Sequence, residues 1–578
     1  MRQHILATGF AAALTALAYG QNLNPTVEVT NAYEGGASSI VKPLQKMAVP
    51  DSVTTFNLDF DYAVFDNPYR GAYEFKPYYV QLKPAPKPST ENRFYLRAGA
   101  GFTLHPELDL VWTPLRKEAF QMDVYATHHS YFGRYHQFAP EAAGEGAYVF
   151  KPTGGKMDGY LSDTRVGIDG RYGWDGGEAT LDVSYRHRMA DDAFRYQKMG
   201  GFAAVGRVRS LPSDAPHFLY DAKVDYHFLG SDLSKAMVVA PLEQTFSESR
   251  FRFDGTFGPV LDADRRIVAD VNMQIARYRG DLAGYTGILS LTPKYEFALN
   301  DWRFSLGAKV STLIYSDDYS VWPDAYRHKS GRIFPDVHID YHLLDDRLIL
   351  QTSATGGDRF NTVSGAFYAH PFSYLDLYGH SLERIRAMVG ARGNIASRFR
   401  YDLQAGYARW SRTPLEGFMN DADISSSYYD PDAVLHYMPA VFESDPFNLL
   451  FAELDYGWKS ESVTVDGKLA YRWTNLAEEG IGLAGTFAPA AFTGCIRPAW
   501  HWGERFAVGT DIAWSTSRKS GIYSVPGWVD LGLFAEYHFT RSLGFWAKGG
   551  NLLNQAVQRT PLHAEAGMYF TAGVVLNF

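Results

Sequence analysis

The segment 413–446, TPLEGFMNDADISSSYYDPDAVLHYMPAVFESDP, holds seven carboxylates and neither lysine nor arginine. Asp421, Asp423, Asp430 and Asp432 are oxygen donors of the kind a hard cation such as calcium collects. Their spacing lacks the central Gly and terminal Glu of an EF-hand loop, so a solvated acidic loop explains them more simply and no metal site is assigned. Phe418, Tyr428 and Tyr429 in the same stretch have rings that could stack on sugars or meet a protein partner. The second candidate is HHSYFGRYH, beginning at His128-His129. Neighbouring residues in a strand point to opposite faces, so the two imidazoles would not share a ligand or a proton. No nucleophile with a distinctive context accompanies them. The expectation is a protein that is not an enzyme and carries no cofactor.

The elements around these residues follow one pattern from about Asn92 onward. In RFYLRAGAGF, Phe94, Leu96, Ala98, Ala100 and Phe102 share a face. In IVADVNMQIA, Ile267, Ala269, Val271, Met273 and Ile275 oppose Asp270, Asn272 and Gln274. In RFAVGTDIAW, Phe506, Val508, Thr510, Ile512 and Trp514 oppose Ala507, Gly509, Asp511 and Ala513. One face suits lipid and the other water. The connections alternate as well. Tight turns fall at 116–118, 174–177, 262–265, 300–301, 345–346, 396–397, 460–461, 502–504 and 540–541, rich in the residues hairpins need. Longer pieces lie at 134–158, 231–246, 317–330, 361–381, 413–446 and 475–488. Short turns on one side and long loops on the other are the two ends of an outer-membrane barrel.

Composition agrees. The chain has 38 Tyr, 38 Phe, 12 Trp and 53 Gly, yet a mean hydropathy of -0.24. Trp112, Trp302, Trp410, Trp458, Trp473, Trp500, Trp502 and Trp528 sit near strand ends, as an aromatic girdle requires. A net charge of -9 argues against a nucleic-acid partner. Cys495 is the only cysteine, which excludes an intrachain disulfide. MRQHILATGFAAALTALAYG, residues 1–20, reads as a secretory signal peptide, its apolar run too short to span a membrane. The fold expected is all-β: a transmembrane antiparallel barrel of about 22 strands over 92–578, after an irregular periplasmic or lumenal segment at 21–91. Lumen-facing charges such as Asp182 and Arg186 are then structural. Its place is the outer membrane of a Gram-negative-type envelope. The last strand, with Phe570, Val574, Leu576 and Phe578 facing lipid, must pair with the first near Arg93–Thr103, because an open edge in lipid is forbidden.

At GGNLLNQAVQRTPLHAEAGMYFTAGVVLNF, residues 549–578, the chain resembles the last two strands of TonB-dependent receptors. The matching positions are Asn551, Leu552, Leu553 and Asn554 before a loop, and the terminal aromatic Phe578. The resemblance implies a 22-stranded barrel that takes up a bulky nutrient, with outer-membrane lipids and the barrel assembly machinery as partners. It also implies TonB, or a surface or periplasmic protein, as a further partner. Thr26, Val27, Glu28, Val29 and Thr30 have the position and β-type composition of the family's TonB box, which would act by strand addition. The family fills its lumen with a plug of well over a hundred residues, whereas residues 21–91 are too few for one. Inward-folding loops, the N-terminal segment or a partner would then fill the lumen. The alternative function is a plugless scaffold subunit of an outer-membrane assembly or export complex.

Overall fold

A computed structural model describes residues 93–578, apart from 103, 145, 192–194, 212–217, 236–241, 317–330, 371–372, 376–378, 421–436, 477–483 and 504. Residues 1–91, with Thr26, Val27, Glu28, Val29 and Thr30, lie outside the described residues, as do Asp421, Asp423, Tyr428, Tyr429, Asp430 and Asp432.

Twenty-two strands, from Phe94–Phe102 to Tyr569–Asn577, pair antiparallel around a closed barrel. Two strands of three residues, Arg518–Ser520 and Tyr523–Val525, join the same sheet as a side hairpin. A separate small sheet is formed by Tyr374–Leu375, Pro414–Asn420, Tyr437–Glu443 and Ala484–Thr486. The barrel closes where expected: the register of the last strand on the first runs from Phe102↔Phe570 to Tyr95↔Asn577. The carboxyl terminus is sewn into this seam. Phe578 accepts at its carbonyl from the N–H groups of Arg93 at 2.8 Å and Phe94 at 2.7 Å, and its own N–H donates to Phe94 at 3.0 Å. Its ring stacks on Phe94 with centroids 5.0 Å apart.

The faces divide as the alternation requires. Phe570 and Phe578 stand open on the outer face, while Thr571 and Val575 point inward and are buried. His128 and His129 do lie on opposite faces. The outward His128 bonds Thr164 at 2.8 Å and Ser130 at 3.0 Å, and the inward His129 meets Asp109 at 3.5 Å. Trp112, Trp302, Trp458, Trp473, Trp500 and Trp502 are exposed, as girdle residues should be. Trp410 and Trp528 depart from that expectation. Both are buried, with the guanidinium groups of Arg359 and Arg559 each 4.4 Å above a ring.

All nine expected tight turns fall at or beside strand ends, and a tenth connection on that side joins Arg195–Ser210 to Phe218–Lys235. The piece at 134–158 is no loop. It is the upper part of a hairpin, Phe120–Ala142 with Tyr148–Trp174, paired out to Ala142↔Tyr148. The wall is therefore uneven. The strands of this hairpin have 23 and 27 residues and those up to Gly284–Leu299 have 15 to 18, whereas Trp528–His538, Leu543–Gly550 and Tyr569–Asn577 have 11, 8 and 9. One side of the barrel rises well above the other.

Candidate functional site

The inner wall carries charges of both signs, paired across strands. Arg165 meets Asp182 at 3.1 Å, Lys294 meets Asp270 at 2.7 Å and Asp336 at 3.2 Å, and Arg472 meets Glu453 at 3.1 Å. Asp182 and Arg186 are lumenal, as expected, with Asp182 also accepting from the Tyr125 hydroxyl at 2.6 Å. Such a lining is wettable, and its charges are paired across strands.

The distinctive structure lies where the long connections converge over the lumen. The connection after Ile349–Arg359 contains the helix Val363–Ala369. Thr362 caps it in an extended conformation, its hydroxyl accepting from the Gly365 N–H at 3.0 Å. Val363, Ala366 and Phe367, spaced to share one face, are buried. That face packs on an apolar patch of the inner wall formed by Met199, Leu229, Phe246, Tyr278, Ile288 and Leu313. Polar contacts fix its position. Ser364 donates to Glu248 from its hydroxyl at 2.6 Å and its backbone at 3.1 Å, and Arg188 donates to the Tyr368 carbonyl at 2.7 Å. Arg188 lies on Gly177–Asp191, eight strand positions from the helix's own parent strand. That is roughly 40 Å around the wall at the usual strand spacing. The contact is made across the barrel.

A second convergence ties four connections to the tall hairpin. Phe150 is fully buried among Phe418, Phe487 and Tyr523, with Leu562 and Ala564 of the last loop in the same cluster. The Phe150 carbonyl accepts from the Gln558 amide at 3.2 Å, and Tyr523–Val525 pairs in parallel with Tyr148 and Val149. At the centre is a buried carboxylate. Glu416 bonds Arg518 at 2.6 Å and meets His370 at 2.9 Å, joining three connections in one junction. Burial would raise its carboxyl, but Arg518 and His370 together outweigh burial and hold it below the ordinary carboxylate range.

A third junction contains His380, which accepts from the Asn361 N–H at Nδ1 (3.2 Å) and therefore carries its proton on Nε2, 2.8 Å from the Thr286 hydroxyl. Burial, with the nearby Arg412 cation, pushes it down to about 3, so it stays neutral. Arg412 donates to the His380 carbonyl at 2.8 Å and meets Glu443 at 3.6 Å. Burial raises Glu443 to about 7, which Arg412 only partly counters.

The motif at Asn551–Asn554 has a geometric task in this cap. Asn551 and Asn554 both adopt left-handed backbone, φ 45° and 49°, a conformation Asn tolerates. The Asn551 amide donates to the carbonyls of Gln555 at 2.8 Å and Ala566 at 3.0 Å and accepts from the Gln555 N–H at 3.0 Å. Leu552 donates its N–H to the Leu531 carbonyl at 2.8 Å, while Leu553 stays exposed. The chain is thereby turned from the wall back over the lumen, and Arg559 reaches Asp530 and Trp528. Sequence reasoning missed Glu416, Arg518, His370 and the loop 551–568 as members of a cap. Nothing in the sequence around them marked these residues out, since Glu416 is one of seven carboxylates in 413–446. Among the described residues no group of acids, histidines and cysteines is placed to hold a metal.

No protein-family model and no curated protein sequence matches the chain. Solved structures match its fold. The FrpB iron transporter of Neisseria meningitidis, in its apoprotein form, aligns with a TM-score of 0.61 at 9% identity, over 84% of this chain and 81% of that one. The copper transporter OprC aligns at 0.59 and 11% identity, over 86% and 82%. The siderophore receptor PiuA of Acinetobacter baumannii aligns at 0.59 and 10% identity, again over 86% and 82%. These neighbours are transporters and receptors. With its closed wall, its exposed apolar outer face and its girdle, the chain is in fold an outer-membrane β-barrel of the TonB-dependent-receptor type.

Proposed function

We propose that this protein is the barrel of an uptake system that admits a bulky nutrient through the outer membrane, with the convergent loops as its gate. The observation that supports this is the ionic junction Glu416–Arg518–His370 at the centre of the cap. A buried ion pair is a poor way to stabilise a permanent closure, since apolar residues of similar volume serve as well or better. It suits a closure that must be specific in one state and lost in another. The neighbours that carry iron, copper or siderophores are consistent with a large cargo. Thr26–Thr30 is the segment we assign to TonB, by strand addition in the periplasm. The barrel is assigned no catalytic step.

The test combines growth and conductance. Deleting the gene should produce a growth defect on one nutrient class, and deleting residues 26–30 should reproduce it while the barrel still assembles. In planar bilayers, removing the helical connection 361–379 should convert a nearly closed barrel into a large pore. Unchanged growth on every nutrient, with the barrel always recovered in a fixed complex, overturns the uptake reading. It would establish the second one, a scaffold subunit of an assembly or export complex. That reading is favoured by the hairpin Phe120–Ala142 and Tyr148–Trp174, which rises past its neighbours and offers a partner a platform.

A further inference from the structure

The histidine motif on the tall hairpin is not used by the uptake reading, yet the fold supplies it with a nucleophile that its sequence leaves unmarked. His128 and Ser130 are two apart on Phe120–Ala142 and so share the outer face, opposite the lumenal His129. The His128 ring meets Ser130 Oγ at Nε2, 3.0 Å away, and Thr164 Oγ1 at Nδ1, 2.8 Å away. Thr164 sits directly across from His128 on Tyr148–Trp174. With the proton on Nδ1, Thr164 accepts it and Nε2 is left to take the Ser130 proton. A hydroxyl, a base within reach of it and a third group orienting the base are the parts that activate a serine. A donor for developing negative charge is adjacent too: Ser162 faces Ser130 across the strands, about 5 Å away at Cβ.

The depth of this group narrows its substrate. Ser130 lies ten residues above Phe120, the turn-side end of its strand. At about 3.3 Å per residue and a tilt near 40°, that is about 25 Å, the height of a barrel's apolar band. On the facing strand, the outward residues below the group include Val166, Ile168, Tyr172 and Trp174, all exposed. Directly above it Phe132 stacks on Tyr160 with centroids 5.5 Å apart, and above these Arg134 pairs with Asp158 at 3.1 Å, both open to solvent. The imidazole and the hydroxyls therefore stand where acyl chains end and headgroups begin, the depth of a lipid's ester carbonyls.

We propose that Ser130, His128 and Thr164 form an esterase site that cleaves an acyl ester of a membrane lipid entering from the bilayer. The acyl chain runs down over Val166 and Ile168, and the headgroup side lies against Phe132 and Tyr160. Ser130 Oγ bonds to the ester carbonyl carbon as its proton passes to His128 Nε2. The Ser162 hydroxyl donates to the carbonyl oxygen as that atom becomes an oxyanion. Collapse breaks the bond from the carbonyl carbon to the alkoxy oxygen, and the alcohol leaves with the proton from Nε2. Water, deprotonated by the same nitrogen, then splits the acyl-serine into a fatty acid and free Ser130. Ser130 and His128 are the catalytic residues, and Thr164 is a positioning residue. The site stands apart from the cap and the lumen, so it holds whether the barrel imports a nutrient or serves as a scaffold.

Because Ser130 is only 4% exposed, access to its hydroxyl is measured first. The full-length barrel in detergent micelles is treated with hexadecanesulfonyl fluoride, and the labelled residue is located by peptide mass spectrometry. Wild type should be labelled at Ser130. His128→Gln should slow labelling at least about a hundredfold, the low end for a positioned base. Thr164→Val should slow it as well, and Thr164→Asn, which keeps an acceptor for Nδ1, should restore it. In mixed micelles with a phospholipid carrying a fluorogenic acyl ester, wild type should release fatty acid and Ser130→Ala should not. Heat-modifiable migration confirms that each variant is folded. Absence of label at Ser130 or of released fatty acid in wild type, labelling at full rate in His128→Gln or Thr164→Val, or hydrolysis that survives Ser130→Ala each overturns the proposal.

Discussion

Replacing Glu416 by Ala removes the centre of the cap and leaves the wall untouched. The carboxylate is 1% exposed at its side chain and Arg518 is 6% exposed, so the substitution strands a buried guanidinium. Removing one partner of a buried pair costs about 3–5 kcal/mol. The cost falls on the cap alone, because the wall keeps its own ladder of hydrogen bonds, and local opening is energetically separate from global unfolding. At about 1.4 kcal/mol per decade, amide exchange in the cap should accelerate between a hundredfold and a few thousandfold, or to the unprotected rate if that comes first. The assay is hydrogen exchange with mass spectrometry on the detergent-solubilised barrel at pH 7. Peptides covering 414–420, 484–486 and 518–525 should accelerate, and those covering 265–299 should not. Paired replacement, Glu416→Leu with Arg518→Met, should recover most of the protection, since the apolar pair leaves nothing unpaired. Unchanged exchange in the cap, or equal acceleration in cap and wall, would refute the reasoning.

Acid should act on the two cap carboxylates in opposite senses. Glu416 is held below its ordinary value, so its contribution is complete above about 4.5 and is lost as pH falls through the depressed folded value; cap exchange should rise only below about 4.5. Glu443 is raised to about 7, so its folded form favours the proton and closure weakens between about 4.5 and 7; Glu443→Gln should flatten exchange of 437–443 across that window. At the seam, a Cβ on Gly573 would overlap the Ala98 carbonyl, so Gly573→Val should obstruct closure and abolish the heat-modifiable band on gels. Deleting Phe578 removes three backbone hydrogen bonds and the Phe94 stack, and should lower the yield of assembled barrel in membranes while the barrel that does assemble conducts as wild type.

The barrel was legible because strand alternation is local: Phe570, Val574, Leu576 and Phe578 declare a lipid face within nine residues. Turn chemistry is local too, and Asn300–Asp301 or Ala396–Ser397 reads directly as a hairpin end. The cap was not legible, because its bonds join residues with no periodic relation. Glu416 and Arg518 are 102 positions apart, and Gln558 and Phe150 are 408 apart. Trp410 and Trp528 leave the girdle for a local reason: alternation puts them on the lumenal parity with Asp402 and Asp530, opposite the exposed Leu403 and Val529. Arg359, at the end of a wall strand, and Arg559, in the last loop, then lie on their rings. The stretch 134–158 breaks the alternation with its Gly and Pro residues and so reads as a loop, yet pairing that survives a register shift between His136 and Phe138 carries it as a hairpin.

The uneven height of the wall gives the cap a direction. Its connections rise from the low strands and come to rest against the tall ones, through Arg188, Glu248, Tyr278 and Phe150. On the proposed uptake reading, a cap rooted in the low rim and seated against the high wall parts first from the high wall. Under that reading, cargo passes between the cap's free edge and the palisade of tall strands, along the wall that carries Arg188, Glu248 and Tyr278.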